Sequence, residues 1–195
     1  MPRPYPELTR AISCLLDRID AVIRHTGYGG APVRMYLAGG IAVNYYCGSR
    51  HTEDVDASFS HRILLPYADL VVDYQRQDGG HAFLYLDQNY NSTFALTHED
   101  HEEEATEWAG IGNENRLVHL YVLAPVDLAI SKVARLTAQD QEDILDLARA
   151  QLVTADRFER RAQQALSGYI GDTVRMGRAI QWMANRIRAE VAHPD

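Results

Sequence analysis

The sequence predicts an α/β fold in which a small mixed sheet is flanked by helices and followed by a C-terminal helical bundle. Through residues 33–123, short apolar or alternating runs typical of strands are separated by turns rich in Gly, Asn and Asp. Beyond Pro125 the apolar residues recur at helical spacing. We therefore expect a core over residues 1–123 and a helical region, packed on that core, over residues 124–195. With 195 residues, 46% of them hydrophobic, the chain is large enough for such a core.

The individual elements follow from the same patterns. An amphipathic helix is predicted over Pro4 to Thr26, where apolar residues recur every three or four positions and glycines follow. Strands are predicted at Val33–Ala38, Asp54–Phe59, His81–Leu86 and Leu117–Leu123. A further helix is predicted over His61–Gln77, with Pro66 in its first turn. The C-terminal helices are predicted to begin at Pro125, after the N-cap Thr137, at Thr154 and at Thr173.

The stretch from Tyr36 to Phe59 carries the expected chemistry. An apolar strand leads into Gly39-Gly40, where the absence of a Cβ lets backbone N–H groups approach a ligand closely. A short apolar helix ends at Cys47, and Asp54-Val55-Asp56 then places two carboxylates on one face of a strand. The thirteen residues between the two motifs allow a helix and a return. Adjacent strands would therefore bring the glycines and the aspartates together.

Two aspartates on one face suit a divalent metal ion. Mg²⁺ prefers carboxylate oxygens and keeps positions for water and substrate phosphates, and Mn²⁺ suits the same ligands. An ion held in this way would bridge the phosphates of a nucleotide and neutralise the charge that develops during transfer. The alternative is an ordinary glycine turn followed by a solvated strand face.

Three motifs follow one another within residues 33–150. They read G-G-x13-D-V-D with R-x-T-x-D-x-D inside it, then L-A-P-V-D-L-A-I-S-K-V-A-R from Leu123, then D-Q-E-D-I from Asp140. In this order they resemble the nucleotidyltransferase fold of the DNA polymerase β superfamily. Within that superfamily, the chain is similar to small bacterial nucleotidyltransferases of the AbiEii toxin type and their uncharacterised relatives. The resemblance implies a small mixed-sheet nucleotidyltransferase core with a C-terminal helical bundle.

The resemblance assigns roles to five residues of the core. Asp54 and Asp56 would bind metal, and Gly39 and Gly40 would cradle phosphate. A third carboxylate is expected on the next core strand, where Asp87 is the only acid. It would complete the metal site and help to deprotonate the attacking hydroxyl. The letters D-Q-N-Y-N that begin there are also an ordinary turn composition.

One position departs from the pattern of the family. Many active members have Gly-Ser at the turn, with the Ser touching a phosphate, whereas Gly40 stands in the second position here. Phosphate contact would then rest on backbone amides. Arg50 and Thr52 are further candidates for nucleotide binding, Arg50 by contacting phosphate. The alternative is that both only brace the loop.

The resemblance also places two residues of the second half of the chain in the active site. Lys132 is the only lysine of the protein and would reach a phosphate, and Asp143 would act with it. The residues themselves leave another interpretation open, in which Lys132 or Arg135 forms an ion pair with Asp140 or Asp143 and ties two consecutive helices together.

Charge and composition restrict the partners. The net charge of −8 argues against general coating of nucleic acid, but residues 149–190 carry eight arginines and four acids, a net +4. This end would suit a polyanionic acceptor such as RNA; the alternatives are solvated helix faces or an acidic partner. No apolar run approaches the length of a membrane span. The start lacks an apolar signal core, so the expected location is the cytoplasm.

These observations predict a Mg²⁺-dependent nucleotidyltransferase that moves a nucleotidyl group from an NTP to an acceptor. The resemblance implies RNA, such as tRNA, as acceptor and a bacterial toxin–antitoxin or defence setting with an antitoxin or other partner protein. The alternative is a catalytically degenerate module of the same fold, which binds nucleotide or serves as a partner or antitoxin subunit. A metal-dependent hydrolase is a third hypothesis, because one D-x-D pair serves that chemistry too.

Overall fold

The structure is a computed structural model that describes residues 5–90 and 95–192. The chain divides into two compact units. We call residues 5–90 and 105–122 the sheet unit, and residues 95–104 and 123–192 the helical unit. The mixed α/β class is confirmed, while the packing of residues 124–195 on the core stays a prediction. No helix in the described part of the chain is long and apolar enough to cross a bilayer.

The sheet unit contains two α-helices and seven short strands among its described residues. In chain order they are α1 (Pro6–His25), β1 (Val33–Leu37), α2 (Gly39–Cys47), β2 (Asp54–Val55), β3 (Ala57–Phe59), β4 (Val71–Gln75), β5 (His81–Leu86), β6 (Thr106–Glu107) and β7 (Val118–Val122). The amphipathic α1 begins at a proline, which is preorganised for the first turn. Its apolar face is buried and contacts β4, β5 and β7. Most elements therefore lie where the apolar periodicity predicts them.

The larger sheet has four strands in the order β3-β1-β7-β6. Its central strands, β1 and β7, run parallel, with Met35 opposite Leu120 and both side chains buried. β3 lies antiparallel on the other side of β1. Buried and half-buried residues alternate along β7, and Arg34 of β1 is exposed, so one face of these central strands is fully packed and the other only partly.

The smaller sheet has three strands in the order β2-β5-β4. β4 and β5 form an antiparallel hairpin around Asp78-Gly79-Gly80, and β2 pairs in parallel with β5. The predicted helix over His61–Gln77 is therefore wrong: this segment holds a 3₁₀ turn at Tyr67–Asp69 and then β4. The apolar spacing of the segment imitated a helix, but pairing with β5 buries Val72 and decides the structure.

The aspartate motif lies where the chain passes from one sheet to the other. A continuous strand is predicted over Asp54–Phe59, whereas the structure has β2 in the smaller sheet and β3 in the larger, with Asp56 between them. The alternation persists across this point, because Val55 is fully buried while both aspartates are half-buried. Asp54 thus lies in the smaller sheet, and Asp56 lies at the crossing between the two sheets.

The helical unit contains α3 (Pro125–Ser131), α4 (Ala138–Arg149), α5 (Ala155–Leu166) and α6 (Thr173–Ala192). Thr137 is the predicted N-cap of α4, and Thr154, where a helix was predicted to start, is the N-cap of α5; each accepts a hydrogen bond from a backbone N–H of the first turn. α3 packs against α4 and α5, and α6 packs against α4 and α5. α3 is shorter than the apolar pattern suggests, since it ends at Ser131 and leaves Lys132 as its C-cap.

Candidate active site

The predicted glycine turn is the first turn of α2. The helix begins at Gly39, whose φ of +58° lies in the left-handed region that favours glycine. The first N–H groups of an α-helix have no intrahelical partner, and the helix dipole gives this end a partial positive charge. The start of α2 therefore offers the backbone donors that a phosphate requires.

Gly39 lies directly against Asp56. A Cβ on Gly39 would overlap the Asp56 carboxylate and lie 2.6 Å from its Cγ. The backbone holds the same contact, because the Ala38 N–H donates to the Asp56 carbonyl oxygen at 2.9 Å. Only glycine lets the carboxylate approach the N-terminus of α2 so closely. The structure thus brings together the two motifs that the sequence separates by thirteen residues.

Gly40 lies against the R-x-T segment. A Cβ on Gly40 would lie 2.8 Å from Thr52 Cγ2, 3.0 Å from Thr52 Cβ and 3.2 Å from Arg50 Nε. The Thr52 hydroxyl in turn donates a hydrogen bond to the Asp54 carboxylate. Thr52 therefore links the glycine turn to the first aspartate, and its methyl group fills the space that a serine at position 40 would need.

We predict that Gly40→Ser, which introduces the serine of the family pattern that the sequence resembles, destabilises this protein by about 1–3 kcal/mol through overpacking. Thr52→Ser removes the obstructing methyl group but keeps the hydroxyl that bonds Asp54. The double variant Gly40→Ser/Thr52→Ser should therefore recover part of the loss. Urea unfolding of the wild type, both single variants and the double variant measures this coupling. Equal stability of Gly40→Ser and the wild type would contradict the packing argument.

The third predicted acid follows the strand that pairs with β2. β2 and β5 pair in parallel with Val55 opposite Leu86, and the Asp87 N–H donates to the Val55 carbonyl oxygen at 3.1 Å. The residue that follows each of these two strands is an aspartate, so Asp56 and Asp87 occupy corresponding positions just after β2 and β5. Asp87 also accepts from the Asn89 N–H at 2.8 Å, which is the turn contact that its sequence suggests.

Two tyrosines, which the sequence interpretation did not single out, lie in the field of these carboxylates. The pKa of Tyr85 is raised above its ordinary value, first by burial and then by the negative charges of nearby acids. Among these acids, Asp54 and Asp87 have the largest effect, and Asp56 adds to it. Burial and the charge of Asp56 likewise raise the pKa of Tyr90. Strand alternation could have identified Tyr85, because it lies on the exposed face of β5 and is itself the residue that pairs with Asp54. For Tyr90 the sequence carries no such signal.

The donors at this site are those of a hard divalent ion. Asp54, Asp56 and Asp87 would supply carboxylate oxygens, and the N-terminus of α2 lies against Asp56. Within residues 5–90 and 95–192, no three or more His, Cys, Asp or Glu side chains are grouped closely enough to hold an ion by themselves. The chemistry of the donors fits Mg²⁺ or Mn²⁺, and the assignment of the three aspartates as metal ligands stays a prediction.

An open pocket of about 220 Å³ adjoins the R-x-T segment within the sheet unit. Arg50, His51 and Thr52 line it together with Tyr5 and Tyr74. The rings of Tyr5 and His51 are stacked in nearly parallel planes, with their centres 5.7 Å apart. Two residues predicted to bind nucleotide thus border a cavity as well as the glycine turn.

The other two predicted site residues form a buried ion pair in the helical unit. Lys132 Nζ donates to Asp143 Oδ2 at 2.8 Å, and the two side chains are 5% and 2% exposed. Gln139 Nε2 donates to the other oxygen of Asp143 at 2.9 Å. The structure therefore contains the ion pair that the sequence left open as the structural interpretation. Phosphate contact by Lys132 stays a prediction.

A second ion pair joins the turn between α3 and α4 to the start of α4. Arg135 donates to both oxygens of Asp140, at 2.8 and 2.6 Å, and the Thr137 hydroxyl and N–H donate to Oδ2 as well. Burial alone would raise the pKa of Asp140, but the hydrogen bonds from Arg135 and Thr137 outweigh it and lower the pKa below its usual value. Asp140 is thus occupied by a capping box and by Arg135.

The comparison with protein families shows a nucleotidyltransferase-type protein, in which a glycine-led helix begins against a D-x-D motif. The chain belongs to the family described as nucleotidyltransferase of unknown function (DUF6036), whose model matches residues 16–184. No curated protein and no solved structure matches the chain significantly.

Proposed function

We propose that this protein is a Mg²⁺-dependent nucleotidyltransferase that transfers a nucleotidyl group from an NTP to an RNA acceptor. The observation that carries the proposal is the contact between Gly39 and Asp56, because it sets an anion-binding helix N-terminus beside a carboxylate suited to metal. Membership of a nucleotidyltransferase family supports an NTP as the substrate.

Each residue of the candidate site has a role in this proposal. Asp54 and Asp56 hold the metal, which when bound neutralises the charge of the triphosphate. The amides of Gly39 and Gly40 bind phosphate oxygens. Thr52 orients Asp54 through the hydrogen bond from its hydroxyl.

The transfer step needs no group beyond the NTP and the acceptor. The acceptor hydroxyl oxygen forms a bond to the α-phosphorus while the bond from that phosphorus to the bridging oxygen breaks, and pyrophosphate leaves with the electron pair. Asp87, next to the metal ligands, takes the proton of the hydroxyl. Arg50, at the edge of the glycine turn, contacts phosphate.

The proposal also names an acceptor and a biological role for the transfer. The net charge of +4 over residues 149–190 supports a polyanionic acceptor, and the similarity to AbiEii-type toxins supports RNA, such as tRNA, and a toxin–antitoxin or defence role in the cytoplasm. In that setting an antitoxin or other protein would be a partner.

The test is incubation of the protein with each α-labelled NTP, Mg²⁺ and total bacterial RNA, with and without EDTA. Metal-dependent label in RNA is the expected result and identifies the nucleotide. Label in the protein itself would replace RNA by a protein acceptor. A protein that binds nucleotide in the presence of Mg²⁺ but transfers no label with any NTP would overturn the proposal.

The second candidate function is a catalytically degenerate module that binds nucleotide or serves as a partner or antitoxin subunit. The observation that favours it is the packing of Thr52 on Gly40, which crowds the Cβ of a serine such as that of the family pattern. A binding module needs only an intact surface, so replacing Asp54 would leave its activity unchanged. A transferase would lose its activity with the same replacement.

A further inference from the structure

One face of α6 exposes a row of arginines interrupted by a tryptophan. Arg175, Arg178, Trp182 and Arg186, which we call the α6 stripe, are spaced three, four and four residues apart and are all exposed. This spacing aligns them on one side of the helix over about 16 Å. The opposite side is buried and consists of Met176, Ile180, Met183, Ala184 and Ile187. The stripe is therefore the solvent face of an otherwise well-packed helix.

The charge of the stripe is not neutralised within the described residues. Four other arginines of the helical unit, Arg135, Arg149, Arg161 and Arg188, have acidic partners; Arg188, for example, pairs with Asp156 and Glu159 at 3.0 and 2.6 Å. No carboxylate of the described chain lies within salt-bridge distance of Arg175, Arg178 or Arg186. Three positive charges on one helix face attract a polyanion.

Trp182 adds an aromatic surface to this charge. Its side chain is 44% exposed, although an indole ring gains free energy by leaving water. The Arg186 guanidinium carbon lies 5.3 Å from the ring centre, and the Arg186 Nη1 donates to the neutral Gln141 Oε1 at 2.7 Å. Arg186 thus holds the ring in place while keeping its own charge uncompensated.

An open pocket lies beside the first arginine of the stripe. Its volume is about 290 Å³, and Arg135, Leu136, Tyr169, Asp172 and Arg175 contribute to its wall. The Asp172 carboxylate accepts from the Arg175 N–H at 2.9 Å, which fixes the start of α6. Room for a ligand group therefore adjoins the charged and aromatic row.

We propose that the α6 stripe binds single-stranded RNA, with the arginines on the phosphates and a base stacked on Trp182. Arginine and exposed aromatic side chains on one surface are the two components of single-strand recognition, since phosphate supplies charge and every base has a π-face. An acidic protein segment would use the arginines but would not need the exposed ring. The choice of RNA as the nucleic acid rests on the proposed function. The binding itself depends only on the helical unit and requires no NTP.

The test uses the fact that the protein has two tryptophans. Trp108 is buried, so Trp108→Phe leaves Trp182 as the single fluorophore. Titration of this variant with a single-stranded RNA oligonucleotide, without NTP, should quench the emission. In the otherwise wild-type chain, Trp182→Ala should weaken binding of dye-labelled RNA roughly tenfold.

The arginines are tested by a matched pair of variants. Arg175→Gln/Arg178→Gln should weaken RNA binding roughly tenfold and lower the slope of log K against log salt by about one unit. Arg157→Gln/Arg160→Gln removes two charges at the same spacing from α5, where the arginines are also exposed and have no acidic partner among the described residues. This control should bind RNA nearly as tightly as the wild type.

Three results would overturn the inference: equal weakening in both arginine pairs, RNA binding without a change in Trp182 emission, or no RNA binding at all. Stripe-dependent binding of a polyglutamate peptide in place of RNA would assign the surface to an acidic protein. The same titration with Asp54→Ala separates this inference from the proposed function. Binding that persists when transfer is lost supports the stripe, even if the catalytic proposal fails.

Discussion

Replacement of Asp54 or Asp56 by asparagine is expected to lower nucleotidyl transfer by at least about a hundredfold, as loss of a preorganised electrostatic group commonly does. Asparagine keeps the shape of the side chain and removes one negative charge. The proposed site then holds Mg²⁺ and the triphosphate more weakly. The rate of label transfer from α-labelled NTP, measured at saturating acceptor over a range of Mg²⁺ concentrations, tests the prediction.

The matched control for these variants is Asp73→Asn. Asp73 is an exposed acid of β4 in the same small sheet, and it pairs across the hairpin with Phe83 rather than with β2. Its replacement should leave transfer within about twofold of the wild type, as an exposed side chain outside the site would. Asp87→Asn should lower the rate and flatten the pH profile if Asp87 receives the proton. Unchanged transfer in Asp54→Asn and Asp56→Asn would contradict the metal assignment.

Replacement of Lys132 by methionine is expected to destabilise the protein by about 3–5 kcal/mol, because it leaves the Asp143 carboxylate buried without its cation. Methionine fills much of the space of the lysine, so the main loss is electrostatic. Adding Asp143→Leu removes the isolated charge and should restore most of the stability. The free energies of unfolding of the wild type, the single variant and the double variant in urea measure this effect.

The double variant also distinguishes the two interpretations of Lys132. If the lysine only ties α3 to α4, a stable Lys132→Met/Asp143→Leu protein retains transfer activity. If it contacts phosphate, the folded double variant loses activity. Arg10→Met serves as the stability control, because it removes an exposed ion pair with Glu7 that is worth about 0–1 kcal/mol. A loss of under 1 kcal/mol in Lys132→Met would contradict the buried-pair argument.

Local patterns predicted much of the fold. Apolar periodicity located α1, and alternation or apolar runs located β1, β5 and β7 to within a few residues. The caps at Thr137 and Thr154 were predictable because a hydroxyl that accepts from the first turn is a contact within four residues. β4 was mistaken for a helix because its apolar residues fit both periods, and only its pairing with β5 separates the two.

The sequence by itself determined the ingredients of the candidate site: the glycines before α2, the D-x-D motif and the single lysine. The tertiary structure decided which of them meet. The pairing of β2 with β5 brings Asp87 alongside Asp56, across thirty residues of chain, and the crossing between two sheets sets Asp56 against Gly39. Such contacts depend on strand register and on the path of the backbone. For the same reason only packing revealed that Thr52 occupies the space of a serine at position 40, and that Lys132 lies buried against Asp143.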